Sequence, residues 1–284
     1  MMMIPRALGL ALACVALLVA AVAPAVAREP ISPAALATLT GVDKALEDVA
    51  SAMAEEAANV AKEDPNLADA TAFVAAWKSA ALASFAPDKL KAAFAQRLTG
   101  KLTPDETNTV EDFYRSELGQ RIVNAEIAGN SKAAQEAMAS EALALMEKLE
   151  ADPARKSALK TLSAAAQIDD MSITIALNVA RAMMIGVASA QTAGQRLTLE
   201  DISQAIDQMR EQTSKEMAAL TALSMAYIYR NIPVGDLASY EAFMRTPVGA
   251  KFIDQVMKGL DAVISQASLS FGKALALELG RDPI

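Results

Sequence analysis

Phe113-Tyr114-Arg115-Ser116-Glu117-Leu118-Gly119-Gln120-Arg121 returns 130 residues later as Phe243-Met244-Arg245-Thr246-Pro247-Val248-Gly249-Ala250-Lys251. Aromatic, arginine, hydroxyl, glycine and closing cation fall in step. The pattern reads as a helix, a cap and a second helix. A hydroxyl at Ser116 or Thr246 suits an N-cap, where it accepts from backbone N–H groups. Pro247 suits the first helical position, and Glu117 in the equivalent slot suits the positive end of a helix. Gly119 and Gly249 fall in the first turn, where a missing side chain lets another helix approach closely. Glu111 precedes Arg115 by four residues and Glu241 precedes Arg245 by four. That is the favourable order for a helical ion pair. The corner has a structural reason at each position; the competing reading is an anion site centred on Arg115 and Arg245.

Outward from the corners, strong helix formers dominate, and no sustained β-branched alternation bounded by turns occurs. The expected class is all-α, a helical bundle of two related halves without strands. Punctuation places the elements. Ser32-Pro33 opens a short helix that stops near Thr40-Gly41, and a longer one runs from about Val42 to Lys62, ended by Asp64-Pro65. Helices from about Asn66 to Phe85 and from Pro87 to about Leu102 follow. Thr103-Pro104-Asp105-Glu106 is a capping box. Ser116 caps a long helix to about Ala151, with a bend at Gly129-Asn130. Asp152-Pro153 is the boundary between the halves, 28–152 and 153–284. The second half reads as helices from Pro153 to Gln167, Asp169 to Ala190 (ending before Gly194), Leu199 to Asn231, Pro233 to Arg245 and Pro247 to Leu279. Two long copies suit a compact bundle, or two packed side by side, better than an open solenoid.

The N-terminus reads as an export signal. One cation at Arg6 precedes an uncharged run, Ala7 to Ala27, closing in Ala25-Val26-Ala27 before Arg28. Cleavage after Ala27 is expected. The chain has no His, and Cys14, its one Cys, lies in that leader, so no disulfide is expected after processing. Ala11-Leu12-Ala13 is a poor approach to Cys14 for lipid attachment.

The formal net charge is −8, without a basic cluster. That excludes the cationic surface on which nucleic-acid affinity rests and argues against docking on anionic lipid. Trp77 is the single Trp and aromatics are few, which disfavours sites that stack sugars or bases on rings.

Here the corners resemble a known family. Thr103-Pro104-Asp105-Glu106 running into Phe113-Tyr114-Arg115-Ser116-x-x-Gly119 is similar to the repeated unit of domain-of-unknown-function family 2059. Tyr227-Ile228-Tyr229-Arg230 leading into Phe243-Met244-Arg245-Thr246-Pro247-x-Gly249 resembles a second unit, and the Leu39-Thr40-Gly41 break also fits. Two positions depart from the pattern: Glu117 stands where proline is expected, and Pro233-Val234-Gly235 where an acidic first turn is expected. Both touch capping rather than chemistry. The resemblance implies an exported bacterial helical protein, usually of Gram-negative cells, and supplies no activity.

Chemistry is sparse in the residues. Without His or a mature Cys, the usual general base, thiol nucleophile and zinc or copper(II) ligands are missing. Ser131-Lys132, Ser214-Lys215, Glu55-Glu56 and Asp169-Asp170 are adjacent pairs, which diverge on a helix. There is no calcium loop or phosphate loop. No cofactor and no metal are expected. Methionine is the one enriched feature: the second half holds Met171, Met183, Met184, Met209, Met217, Met225, Met244 and Met257 against three in the first. Core filling and an adaptable apolar groove are the competing readings. Met209, Met217 and Leu220, with Leu223 and Met225, supply one wall; Ile175, Val179, Met183 and Val187 supply another. Arg181 and Asn178 interrupt the latter, which argues against a membrane span. The candidate binding residues are Arg115, Arg245, Met183, Met217 and Met225. The function expected is non-catalytic binding in the cell envelope, to an envelope protein. The alternative is a carrier of an apolar small molecule, and a carboxylate-dependent hydrolase is a distant third.

Overall fold

The computed structural model describes residues 28–63, 69–190 and 197–280. The expected leader with Cys14, the Asp64-Pro65 stop and Gly194 lie outside these residues. The described elements are all helical, as the composition predicts: α1 (Pro33–Leu39), α2 (Val42–Glu63), α3 (Ala70–Ser84), α4 (Pro87–Leu98), α5 (Pro104–Arg115), α6 (Glu117–Gly129), α7 (Lys132–Glu150), α8 (Pro153–Ala166), α9 (Ile168–Ala190), α10 (Leu199–Ile228), α11 (Val234–Arg245) and α12 (Pro247–Leu279).

Caps account for most boundaries. Ser32, Asp69, Ser131 and Asp152 each accept a backbone N–H of the first turn of α1, α3, α7 and α8. Thr103 and Thr198 complete capping boxes with Glu106 and Asp201. Three boundaries differ most from the expected ones, and α10 also ends at Ile228, three residues short of Asn231. The helix expected from Asn66 begins at Ala70, because Asp69 takes the cap. α4 ends at Leu98 rather than Leu102, since Gly100 follows at φ 71°, a left-handed turn that glycine adopts without strain. The long helix expected from Ser116 to Ala151 is two helices, because Ser131 accepts from Ala134 N and starts α7 anew.

One core crosses the boundary between the expected halves. Phe85, Phe94, Val110 and Tyr114 from the first half pack in a single buried cluster with Phe252 and Phe271 of α12. Trp77 meets Phe271 edge to face at 4.8 Å and donates its indole N–H to the Met53 carbonyl at 2.6 Å. The partner is what a buried indole requires. A second cluster joins Ile122, Leu162, Met225, Tyr229, Leu237 and Tyr240 from α6, α8, α10 and α11.

α9 and α12 form the most extensive helix pair. Gly186 and Gly272 bring their backbones together. A Cβ on Gly272 would sit 2.2 Å from the Met183 carbonyl oxygen, and one on Gly186 2.3 Å from that of Leu269. Asn178 adds a polar tie to Asp261 at 3.0 Å. Among the described residues, Ile168–Ser189 is the one helical stretch long and apolar enough to cross a membrane; 22% of its apolar window is buried.

Candidate functional site: the paired corners and the groove along α10

The two corners adopt the same local geometry. Ser116 Oγ accepts from Gly119 N at 3.0 Å and donates to the Phe113 carbonyl. Thr246 Oγ1 accepts from Gly249 N at 3.0 Å and donates to the Phe243 carbonyl. The glycines are required by the end of the preceding helix: a Cβ would lie 2.2 Å from the Phe113 carbonyl oxygen at Gly119 and 2.1 Å from that of Phe243 at Gly249.

The corners also face each other. Phe113 and Phe243 stack, and around them two ion pairs are arranged reciprocally. Arg121 Nη2 reaches Asp236 Oδ2 at 2.8 Å, and Lys251 Nζ reaches Glu106 Oε2 at 2.6 Å. The 130-residue offset converts one pair into the other. Such exchange, in which i meets j and j meets i, follows the contact pattern of an isologous interface.

Arg115 and Arg245, proposed as anion-binding candidates, lie on the outside of this contact. Arg115 Nε donates to Glu111 Oε1 at 2.6 Å, and Arg245 Nε donates to Glu241. Glu111 is buried and also pairs with Arg28, whose guanidinium reaches Asp112 at 2.7 Å as well. Arg28, ahead of Arg115, holds the Glu111 carboxyl below the usual range. Each corner arginine therefore has a carboxylate of its own helix for a counterion.

The methionines divide. Met183 packs against the core beneath α12. Met217 and Met225 line one cavity of about 350 Å³ between α6, α9 and α10, with Leu220, Thr221 and Ile228. Met225 and Thr221 also line a neighbouring cavity of about 330 Å³, with Met146, Leu149 and Leu159 from α7 and α8 as its apolar walls and Glu150, Lys156, Lys160 and Asp169 as its charged ones. The two openings adjoin along α10, with the buried Thr221 and Met225 between them, and together are termed the α10 groove. Of the wall expected from Met209, Met217, Leu220, Leu223 and Met225, Met217, Leu220 and Met225 line the cavity; Leu223 packs with Leu145 and Tyr227 instead, and Met209 projects outward, 44% exposed. Ile168 and Ser172, at the start of α9, stand opposite in place of the Ile175–Val187 stripe.

At the end of this groove lies a group that sequence reasoning missed. Glu126 of α6 lines the 350 Å³ cavity, and with Asn130 it separates that space from a smaller one of about 160 Å³ against α2. Its Oε1 accepts from Tyr229 Oη at 2.6 Å and Tyr240 Oη at 3.2 Å. Tyr114 joins through Tyr240. Enclosure raises the Glu126 carboxyl above its ordinary range, the two tyrosine hydrogen bonds opposing. Burial and the neighbouring acid push the phenols of Tyr229 and Tyr240 well up. A signal was present: Glu126 follows Ile122 by four residues, on the apolar face of α6, where a solvated acid does not belong.

Among the described residues, no three His, Cys, Asp or Glu side chains come together as a metal site.

These features define an all-α protein in which two like helix corners pair and an apolar groove opens beside them. Residues 88–148 match the family described as "Uncharacterized protein conserved in bacteria (DUF2059)". The matched stretch runs from α4 into α7 and holds the first corner; the second corner lies beyond it. No match was found among curated proteins, and none among solved structures.

Proposed function

We propose that this chain is an exported, non-catalytic binding protein of the bacterial cell envelope, holding an apolar or amphipathic small molecule in the groove along α10. The carrying observation is the pair of adjoining cavities, about 330 and 350 Å³, that share Thr221 and Met225. Each is of a size at which small-molecule sites begin. Met146, Met217 and Met225 give walls that repack around varied shapes. The test is Nile red fluorescence: a blue-shifted, saturable rise with the purified chain, reduced by Ala218→Trp, which fills the 330 Å³ cavity from an exposed position. Unchanged emission across the titration would count against the reading.

A protein-interaction module is the second reading. Leu199, Met209 and Leu220 are exposed along α10, and such a row suits a partner helix. Crosslinking in intact cells that recovers a recurrent partner through α10 would favour it. A carboxylate-dependent hydrolase ranks third, because Glu126 is the single acid lining the 350 Å³ cavity, while Glu150 and Asp169 line the other, beyond the buried Thr221 and Met225.

A further inference from the structure

Glu126 is a half-buried acid that lacks a counterion. Among the described residues, no lysine or arginine forms an ion pair with it. The other well-covered acids at the corners have one: Glu111 has Arg28 and Arg115, and Glu106 has Lys251. Carboxylates drawn partly out of water are ordinarily paired, because removing the charge from water is costly. The charged or titratable groups around Glu126 are few. Tyr229 at the end of α10 and Tyr240 of α11 both donate to Oε1, and Tyr114 of α5 stands behind Tyr240. Lys44 of α2 lines the smaller cavity beyond, and its ammonium is drawn to Asp48 at 2.8 Å and to Glu47.

On the other side of the carboxyl lies the 350 Å³ cavity, with Met217, Leu220 and Ile228 as apolar walls and Asn130, Ser172 and Ser224 as neutral polar groups. A cationic N–H group placed there would meet the acid, and the chain attached to it would lie on the methionine and leucine wall.

Resting on the reading of the groove as a small-molecule site, we infer that its occupant is an amphipathic amine, an apolar body with a protonated nitrogen, for which Glu126 is the counterion. Both tyrosine hydroxyls fix Oε1, which leaves the carboxylate oriented in advance. The nitrogen replaces the missing cation. An anionic head meets like charge at Glu126, and the lysines of the adjoining cavity, Lys156 and Lys160, stand beside the acids Glu150 and Asp169, so fatty acids are disfavoured at this end. An uncharged alcohol gains the apolar wall alone.

Displacement of Nile red by octylamine, octanol and octanoate at neutral pH, with wild type and Glu126→Gln, tests this. Glutamine keeps an oxygen for Tyr229 and Tyr240 while removing the charge. Octylamine should displace the dye from wild type at a concentration at least about ten-fold below that of octanol, with octanoate weakest. Glu126→Gln should bring octylamine to the octanol level and leave octanol unchanged. Equal displacement by octylamine and octanol in wild type, or an amine advantage that survives Glu126→Gln, overturns the inference while the groove stands. Failure of all three probes to displace the dye, or of the dye to bind, removes the groove and the inference with it. Should the variant not fold, the wild-type ratio of amine to alcohol decides alone.

Discussion

The rings of Phe113 and Phe243 lie face to face, their centroids 3.8 Å apart and their planes 2° from parallel. Each closes the first helix of its corner, so the repeated sequence position meets its own equivalent. Arg121–Asp236 and Lys251–Glu106 flank the stack as exchanged partners. A contact of this kind is what two copies of one corner would make on meeting as a dimer. That gives the 130-residue repeat a physical meaning as a proposal of duplication and fusion.

The stack should be energetically coupled. In a double-mutant cycle of Phe113→Leu and Phe243→Leu, the two losses should fall short of additivity by about 0.5–1.5 kcal/mol, the range for aromatic pairs. Denaturant unfolding of the four proteins measures it. Additive losses would mean that the rings touch without supporting one another.

The corner glycines should be less tolerant than the corner hydroxyls. Thr246→Ala removes a cap and should cost about 0.5–2 kcal/mol. Gly249→Ala places a methyl 2.1 Å from the Phe243 carbonyl oxygen and must shift backbone, so its melting temperature should fall further. The same comparison at Ser116 and Gly119 should give the same order.

Gly272→Ala should act on a different part of the fold. Its methyl would meet the Met183 carbonyl at 2.2 Å, forcing α9 away from α12 at a cost of about 1–3 kcal/mol, as for overpacking elsewhere. Hydrogen exchange should quicken in α9 and the facing part of α12, while the corners keep their protection.

Two kinds of carboxylate predict opposite pH responses. Lys251, ahead of the Thr103 backbone N–H, lowers the Glu106 carboxyl, and Arg28 does the same at Glu111. Their contribution is present above the ordinary carboxylate range and is lost as pH falls through the lowered values. Glu126 is raised by enclosure. Its contribution is present below the ordinary range and is lost as pH rises through the raised value. Chemical denaturation across acid to neutral pH should show wild type losing more stability on acidification than Glu106→Gln does. Glu126→Gln should gain on wild type as pH rises towards neutrality.

The corners were legible in the sequence because capping is local. Thr103 with Glu106, Ser116 with Gly119 and Thr246 with Gly249 complete their bonds within three residues. The break between α6 and α7 was read as a bend, since Ser131 caps a helix only if the chain turns at Asn130, and packing decides that. The close crossing of α9 and α12 depends on Gly186 and Gly272 meeting, a long-range event that neither glycine announces. Of the candidate residues, Met217 and Met225 reach the groove because they lie eight positions apart on the inner side of α10. Met183 had the same composition-based claim but faces α12. Glu126 was hidden for the plainest reason: its tyrosines lie 103 and 114 residues away.

Native mass spectrometry of protein expressed from the full sequence and purified without refolding tests the central claim most directly, because it reads processing and bound ligand together. The account predicts a mass above that of residues 28–284, with the excess lost on denaturation. A bare polypeptide mass that neither Nile red nor octylamine increases would contradict it.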